Sequence, residues 1–83
     1  MADLLAVRAR ETDMPVPKYE RVASAIREQI RTGRLEPGAK LPTTQQLIAQ
    51  YEVGYGSVRT ALMILKAEGL IVGRPGEGVY VAG

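Results

Sequence analysis

Three residues, Glu52-Val53-Gly54, separate two stretches whose apolar side chains recur at helical spacing. Upstream, Leu47, Ile48 and Tyr51 share one helical face; downstream, Val58, Ala61, Leu62 and Leu65 form a second stripe. So short a connection leaves room for nothing except a tight turn, and two helices joined that way form a helix-turn-helix unit. Thr43-Thr44-Gln45-Gln46 opens the upstream helix with the residues of a capping box: the Thr43 hydroxyl can take the Gln46 amide while the Gln46 side chain reaches back. The downstream helix is predicted from about Tyr55 to Glu68, with Gly54 at its N-cap and Gly69 just past its end.

The flanking segments complete the element order. Tyr19, Val22, Ala23, Ile26 and Ile30 predict an amphipathic first helix of about four turns, preceded by Pro17 and ended by Gly33. Glu36-Pro37-Gly38 reads as a turn. Lys40-Leu41-Pro42 is short and extended, because Pro42 disfavours helix at Leu41. Past Gly69, Leu70-Ile71-Val72 and Val79-Tyr80-Val81 are strand-like runs joined by Gly73-Arg74-Pro75-Gly76-Glu77-Gly78, so they must pair as an antiparallel hairpin. The expected fold is mainly α with a small β-hairpin: a winged helix-turn-helix of three helices plus a two-stranded wing, over residues 18–83. Residues 1–17, in which Met14-Pro15-Val16-Pro17 breaks any short helix, are expected to form a flexible N-terminal arm, the alternative being a segment that docks on a partner subunit.

Eighty-three residues suffice for one domain with one small core. The chain has no Cys and no His, which removes disulfides, the usual zinc sets and most nucleophile–base pairs. Its acidic residues are scattered, so no carboxylate pair suggests an enzyme. No cofactor or metal is expected. No apolar run is long enough for a membrane span and no secretory leader is apparent, so the protein is read as cytoplasmic. Residues 1–17 carry two arginines against three acids, while residues 18–83 carry nine basic side chains against six acidic ones. The part predicted to fold is the basic part, as suits a nucleic-acid partner.

Several runs carry a family resemblance: Tyr19-Glu20, Arg34-Leu35-Glu36-Pro37-Gly38-Ala39-Lys40-Leu41-Pro42, then Leu47, Ala49 and Val53. It continues through Val58-Arg59-Thr60-Ala61-Leu62, Leu65, Glu68-Gly69-Leu70-Ile71 and Gly76-Glu77-Gly78-Val79-Tyr80-Val81. Over roughly residues 17–82 the chain resembles the GntR family of bacterial transcription regulators. The resemblance implies a winged helix fold, binding to double-stranded operator DNA, action as a regulator such as a repressor, and a homodimer on the operator. It also implies a C-terminal effector-binding domain. That domain is expected to be absent here, leaving the DNA-binding part of a longer regulator or a free-standing minimal one. Two family positions differ: Gln45 stands where members commonly carry Arg, and Tyr55 after Gly54 stands where they carry Arg or Pro early in the third helix. Arg59 is retained.

Recognition helices present their N-terminal residues to base edges in the major groove. Here those are Tyr55, Gly56 and Ser57, then Arg59 and Thr60 one turn on. Arg59 is the candidate for bidentate contact with a guanine, or for a phosphate contact. Tyr55 can meet a phosphate or a thymine methyl, or pack over the helix-turn-helix junction. Gly56 would allow close backbone approach. At the start of the second helix, free amides with Thr43, Thr44 and Gln45 favour phosphate, although Thr43 is equally explained by capping. In the wing, about residues 73–78, Arg74 with Gly76 and Gly78 can lie along the backbone or minor groove; Glu77 would oppose close approach unless turned away. Lys18, Arg21, Arg31, Arg34 and Lys40 read as solvated charges. The competing reading is a winged helix used for protein–protein contact.

Overall fold

The computed structural model describes residues 16–83, so residues 1–15 of the expected arm lie outside the described residues. Three helices, α1 (Lys18–Arg31), α2 (Thr44–Tyr51) and α3 (Tyr55–Ala67), precede two strands, β1 (Ile71–Arg74) and β2 (Gly78–Val81).

Local chemistry sets the helix ends. Pro17 occupies the N-cap of α1 with φ −54° and ψ 148°; Thr32 caps the other end and Gly33 follows at φ +84°. The capping box of α2 is formed in full: the Gln46 amide donates to Thr43 Oγ1 at 3.1 Å, and the Thr43 amide to Gln46 Oε1 at 2.8 Å. Helix α2 ends on Glu52 in the left-handed region at φ 53°, a conformation few residues other than glycine adopt. This sharp exit drives Val53 into the core, where it is 7% exposed. The three-residue connection is thus a core residue between the left-handed Glu52 and Gly54, the extended N-cap of α3.

The core joins α1, α2 and α3 to the base of the hairpin. Val22, Ala23, Val58, Ala61 and Leu65 are 0% exposed, with Ile26, Leu41, Leu47, Ile71 and Val81 close behind. Helices α1 and α3 share the most extensive contact. Across its outer edge the Arg27 guanidinium grips the Glu68 carboxylate with two bonds of 2.9 and 2.8 Å. Leu62, expected in the buried stripe of α3, is half-buried. It lies at the edge of that stripe, toward the open side of the domain, because the stripe is narrower than spacing alone suggests.

The hairpin is antiparallel in the register Ile71↔Val81, Val72↔Tyr80, Gly73↔Val79 and Arg74↔Gly78. Both strands run further toward the tip than the apolar runs suggested. Arg74 and Gly78 still pair, and the turn closes between them, with the Glu77 amide donating to the Arg74 carbonyl at 3.0 Å. Pro75 and Gly76, the latter at φ +77°, occupy the central positions in the residue order of a type II turn. Residues 38–41, which run from the end of the expected turn at Glu36-Pro37-Gly38 into the expected extended piece Lys40-Leu41-Pro42, line the free edge of β2. The Leu41 amide donates to the Val79 carbonyl at 2.8 Å, the Val81 amide to the Ala39 carbonyl at 2.8 Å, and the Gly38 amide to the Val81 carbonyl at 3.0 Å, with Lys40 opposite Tyr80. The ribbon therefore has a third edge segment supplied from between α1 and α2.

Candidate nucleic-acid interface

One side of the domain gathers the start of α2, a face of α3 and the ribbon. Thr44, Tyr55, Arg59 and Leu62 line a shallow depression closed on its far side by Val79 of β2. Thr43 and Thr44 border a neighbouring hollow with Lys40, Glu77 and Gly78. Under the wing a third cleft runs between Lys66 and residues Arg74, Gly76 and Gly78. Tyr55, Arg59 and Lys66 follow one another at four- and seven-residue steps on α3, which places them along one stripe.

Of the sequence candidates, the structure thus brings Thr43, Thr44, Tyr55, Arg59, Arg74, Gly76 and Gly78 to the margins of one continuous surface. Gln45 is exposed on the first turn of α2. Gly56 and Thr60 are exposed one residue ahead of the Tyr55–Arg59 stripe, about 100° round the helix, and Ser57 is half-buried. Tyr55 is 57% exposed, so the helix-turn-helix junction does not cover its ring.

Arg74 projects from the outer face of the ribbon, where its guanidinium carbon stands 4.5 Å from the centre of the Tyr80 ring. The strand register explains this: Arg74 pairs with Gly78, and Tyr80 is the next residue of β2 on the same face. Gly78 has φ +133°, and a Cβ there would lie 2.8 Å from Lys40 Cε, so the lysine stem crosses the ribbon over a position with no side chain.

Among the described residues the ion pairs are Arg27–Glu68 and Arg31–Glu28. Both lie away from this surface, and Arg59, Lys66, Arg74 and Lys40 belong to neither. The paired guanidinium holds the Glu68 carboxyl below the ordinary carboxylate range, chiefly through the hydrogen bonds Arg27 donates. No buried side-chain nitrogen or oxygen lacks a partner among the described residues.

Sequence reasoning missed Lys66, Met63 and Val79 as members of the surface, and it set Lys40 apart as a solvated charge. For Lys66 the signal was present, two turns beyond Arg59. For Val79 and Lys40 it was not, because their positions depend on how the ribbon folds back onto α3 and on which backbone pairs with its edge.

Three helices with a short turn between the second and third, followed by a ribbon flanking the third, define a winged helix-turn-helix domain. A family model described as "Bacterial regulatory proteins, gntR family" matches residues 18–81, and the chain belongs to that family. It is 38% identical over 68 residues to the histidine utilization repressor of Klebsiella aerogenes, covering 82% of this chain and 28% of that protein. With the mannosyl-D-glycerate transport/metabolism system repressor MngR of Escherichia coli it shares 40% over 65 residues, 78% of this chain and 27% of the relative. The chain therefore spans under a third of the length of these relatives. Its fold matches AraR(DBD), solved in complex with operator ORX1, with a TM-score of 0.79 and 34% identity over 82% of each chain. The complex of AraR(DBD) with operator ORE1 gives a TM-score of 0.81 and 33% identity, over 84% of this chain and 85% of that one. No described helix is long and apolar enough to cross a membrane.

Proposed function

We propose that this domain binds double-stranded operator DNA as part of a bacterial transcription regulator acting as a repressor, in the cytoplasm and without catalysis of its own. Helix α3 enters the major groove with Tyr55, Gly56, Ser57, Arg59 and Thr60 leading. Thr43, Thr44 and Gln45 at the start of α2 meet the phosphate strand. The wing, through Arg74, Gly76 and Gly78, reaches the backbone or minor groove. The observation that carries this reading is the surface shared by α2, α3 and the ribbon, on which Arg59 has no acidic partner, with Arg74, likewise outside any ion pair, on the adjoining outer face of the ribbon. A helix about 10–12 Å across suits a groove about 12 Å wide. Relatives named as repressors, and a fold shared with a domain solved on its operator, support the same reading.

Binding is proposed to involve two copies on two half-sites, the arrangement that lets one recognition helix per copy read successive turns of a duplex. Control by an effector, in this reading, lies outside residues 18–83. The test is an equilibrium titration of the chain and of Arg59→Ala with a duplex enriched from a randomised pool. Loss of the guanidinium is expected to weaken binding about tenfold, as for one bidentate base contact worth about 1–3 kcal/mol. Undiminished affinity would remove α3 from the groove. Amide shift changes gathering on 43–46, 55–60 and 74–78 would favour this surface over a protein-docking role.

A further inference from the structure

The face of α3 that carries Tyr55 and Arg59 ends on a second basic side chain. Lys66 is exposed, stands seven residues after Arg59, and borders both the depression against Val79 and the cleft under the wing. It is the point where the helix surface passes into the ribbon surface. A Cβ at Gly73 would lie 3.1 Å from Lys66 Nζ and 3.5 Å from its Cε. Gly73 pairs with Val79 on the helix-facing side of the ribbon, so the missing side chain at Gly73 leaves the ammonium room to rest there.

A lysine in the last turn of a helix ordinarily serves the terminal carbonyls. Those of Ile64, Leu65 and Lys66 at the end of α3 are already taken by backbone amides. Glu68 donates to the Ile64 carbonyl, Gly69 to that of Lys66 and Leu70 to that of Leu65, each at 3.0 Å. Lys66 also belongs to neither ion pair of the described residues. Its charge is thus uncommitted within the domain, and its head leans toward the wing.

Its height along the helix says what it faces. Lys66 follows Tyr55 by eleven residues, which places it about 16 Å further along the axis at about 1.5 Å per residue. The major groove is about 12 Å wide. A helix that inserts Tyr55 and Arg59 therefore carries Lys66 past the base edges, to the sugar–phosphate strand that borders the groove and separates it from the wing. We infer that Lys66 is a phosphate-binding residue of the interface, bridging the contacts of the recognition helix and those of the wing. This rests on the reading of α3 as the recognition helix. A phosphate contact adds affinity and register without sequence preference.

Lys66→Met keeps most of the stem and removes the charge; Lys66→Arg keeps the charge. Both are titrated as the full chain at several salt concentrations, with a duplex enriched on the wild-type chain from a randomised pool and with a scrambled duplex of equal length. Lys66→Met is expected to weaken both duplexes by a similar factor, about three- to tenfold, and to make the log–log salt slope less steep by about 0.9, the share of one phosphate. Lys66→Arg is expected to restore both. The slope is a property of the bound molecules and does not change with the fraction of chain that is folded. An unchanged slope in Lys66→Met overturns the inference, as does a loss confined to the enriched duplex, which would make Lys66 a base reader. A wild-type chain that binds neither duplex overturns the parent reading of α3 instead.

Discussion

The seam between α1 and α3 and the ribbon of β1 and β2 are held by different physics. In the seam, Val22, Ala23, Val58, Ala61 and Leu65 are wholly removed from water. Of the eight strand residues, Ile71 and Val81 alone are buried, and they are cross-strand partners at the base of the hairpin. Beyond that pair only half-buried Val79 adds apolar packing, and the ribbon relies on its own ladder and on backbone bonds from residues 38–41. The difference separates two tasks. A helix that must present side chains at fixed spacing is locked by dense apolar packing. The wing, which in the proposed binding mode lies along a curved backbone, is anchored at one end and left open along its length, toward the lower end of local stability.

The strongest way to break this contrast is to remove packing from the seam. Leu65→Ala is expected to cost about 2–5 kcal/mol, much of the stability of a domain this small. In chemical denaturation followed by far-UV dichroism and by amide protection, wing and helices should then unfold together at a lower denaturant concentration. A wing that kept its protection after the helices melted would show that the ribbon does not depend on the seam. A smaller and more local effect is expected for Gly78→Ala. The position holds φ +133°, which costs a non-glycine residue about 1–3 kcal/mol, and the new Cβ would also press on the Lys40 stem. Amide exchange should quicken over residues 72–80 while the amides of α1 and α3 keep their protection. Equal loss in both regions would refute the separation.

The smallest effect concerns the Arg27–Glu68 pair on the outer edge of the seam, where the side chains are 35% and 39% exposed. The folded-state pKa of Glu68 is lowered by the hydrogen bonds from Arg27. The pair therefore contributes stability above the ordinary carboxylate pKa, and the contribution fades as pH falls through the folded value. Glu68→Gln should accordingly flatten the acid-side fall of the stability–pH curve and leave its neutral-to-basic limb with the same shape. An unaltered acid limb would mean that solvent already screens the pair.

Most of the helical half was legible in the sequence, because its signals are local. The Thr43–Gln46 box, the Gly54 and Gly69 boundaries and the Val58/Ala61/Leu65 stripe each act within one turn or along one helix face. The core contribution of Val53 was not legible, since a residue in a turn shows no periodicity. Leu62 was over-read for the opposite reason: periodicity placed it on the apolar side without saying how wide that side is. On the candidate surface, Arg59 was singled out from its place early on the third helix. Lys66 was overlooked although it shares that stripe, because its meaning depends on the wing beside it.

The order of elements, the capping box of the second helix, the glycine boundaries of the helices and the existence of the hairpin follow from the sequence by itself, since each rests on contacts between near neighbours, and the basic balance of residues 18–83 is composition alone. Tertiary structure alone decided that residues 38–41 close the edge of the ribbon, that Arg27 grips Glu68 across 41 positions, and that the stems of Lys66 and Lys40 lie over Gly73 and Gly78. Arg27 meets Glu68 because α1 packs along α3, and the lysine stems meet the ribbon because burying Ile71 and Val81 folds the hairpin back onto the helices. No local pattern encodes where a helix or strand lands once its apolar face has been covered.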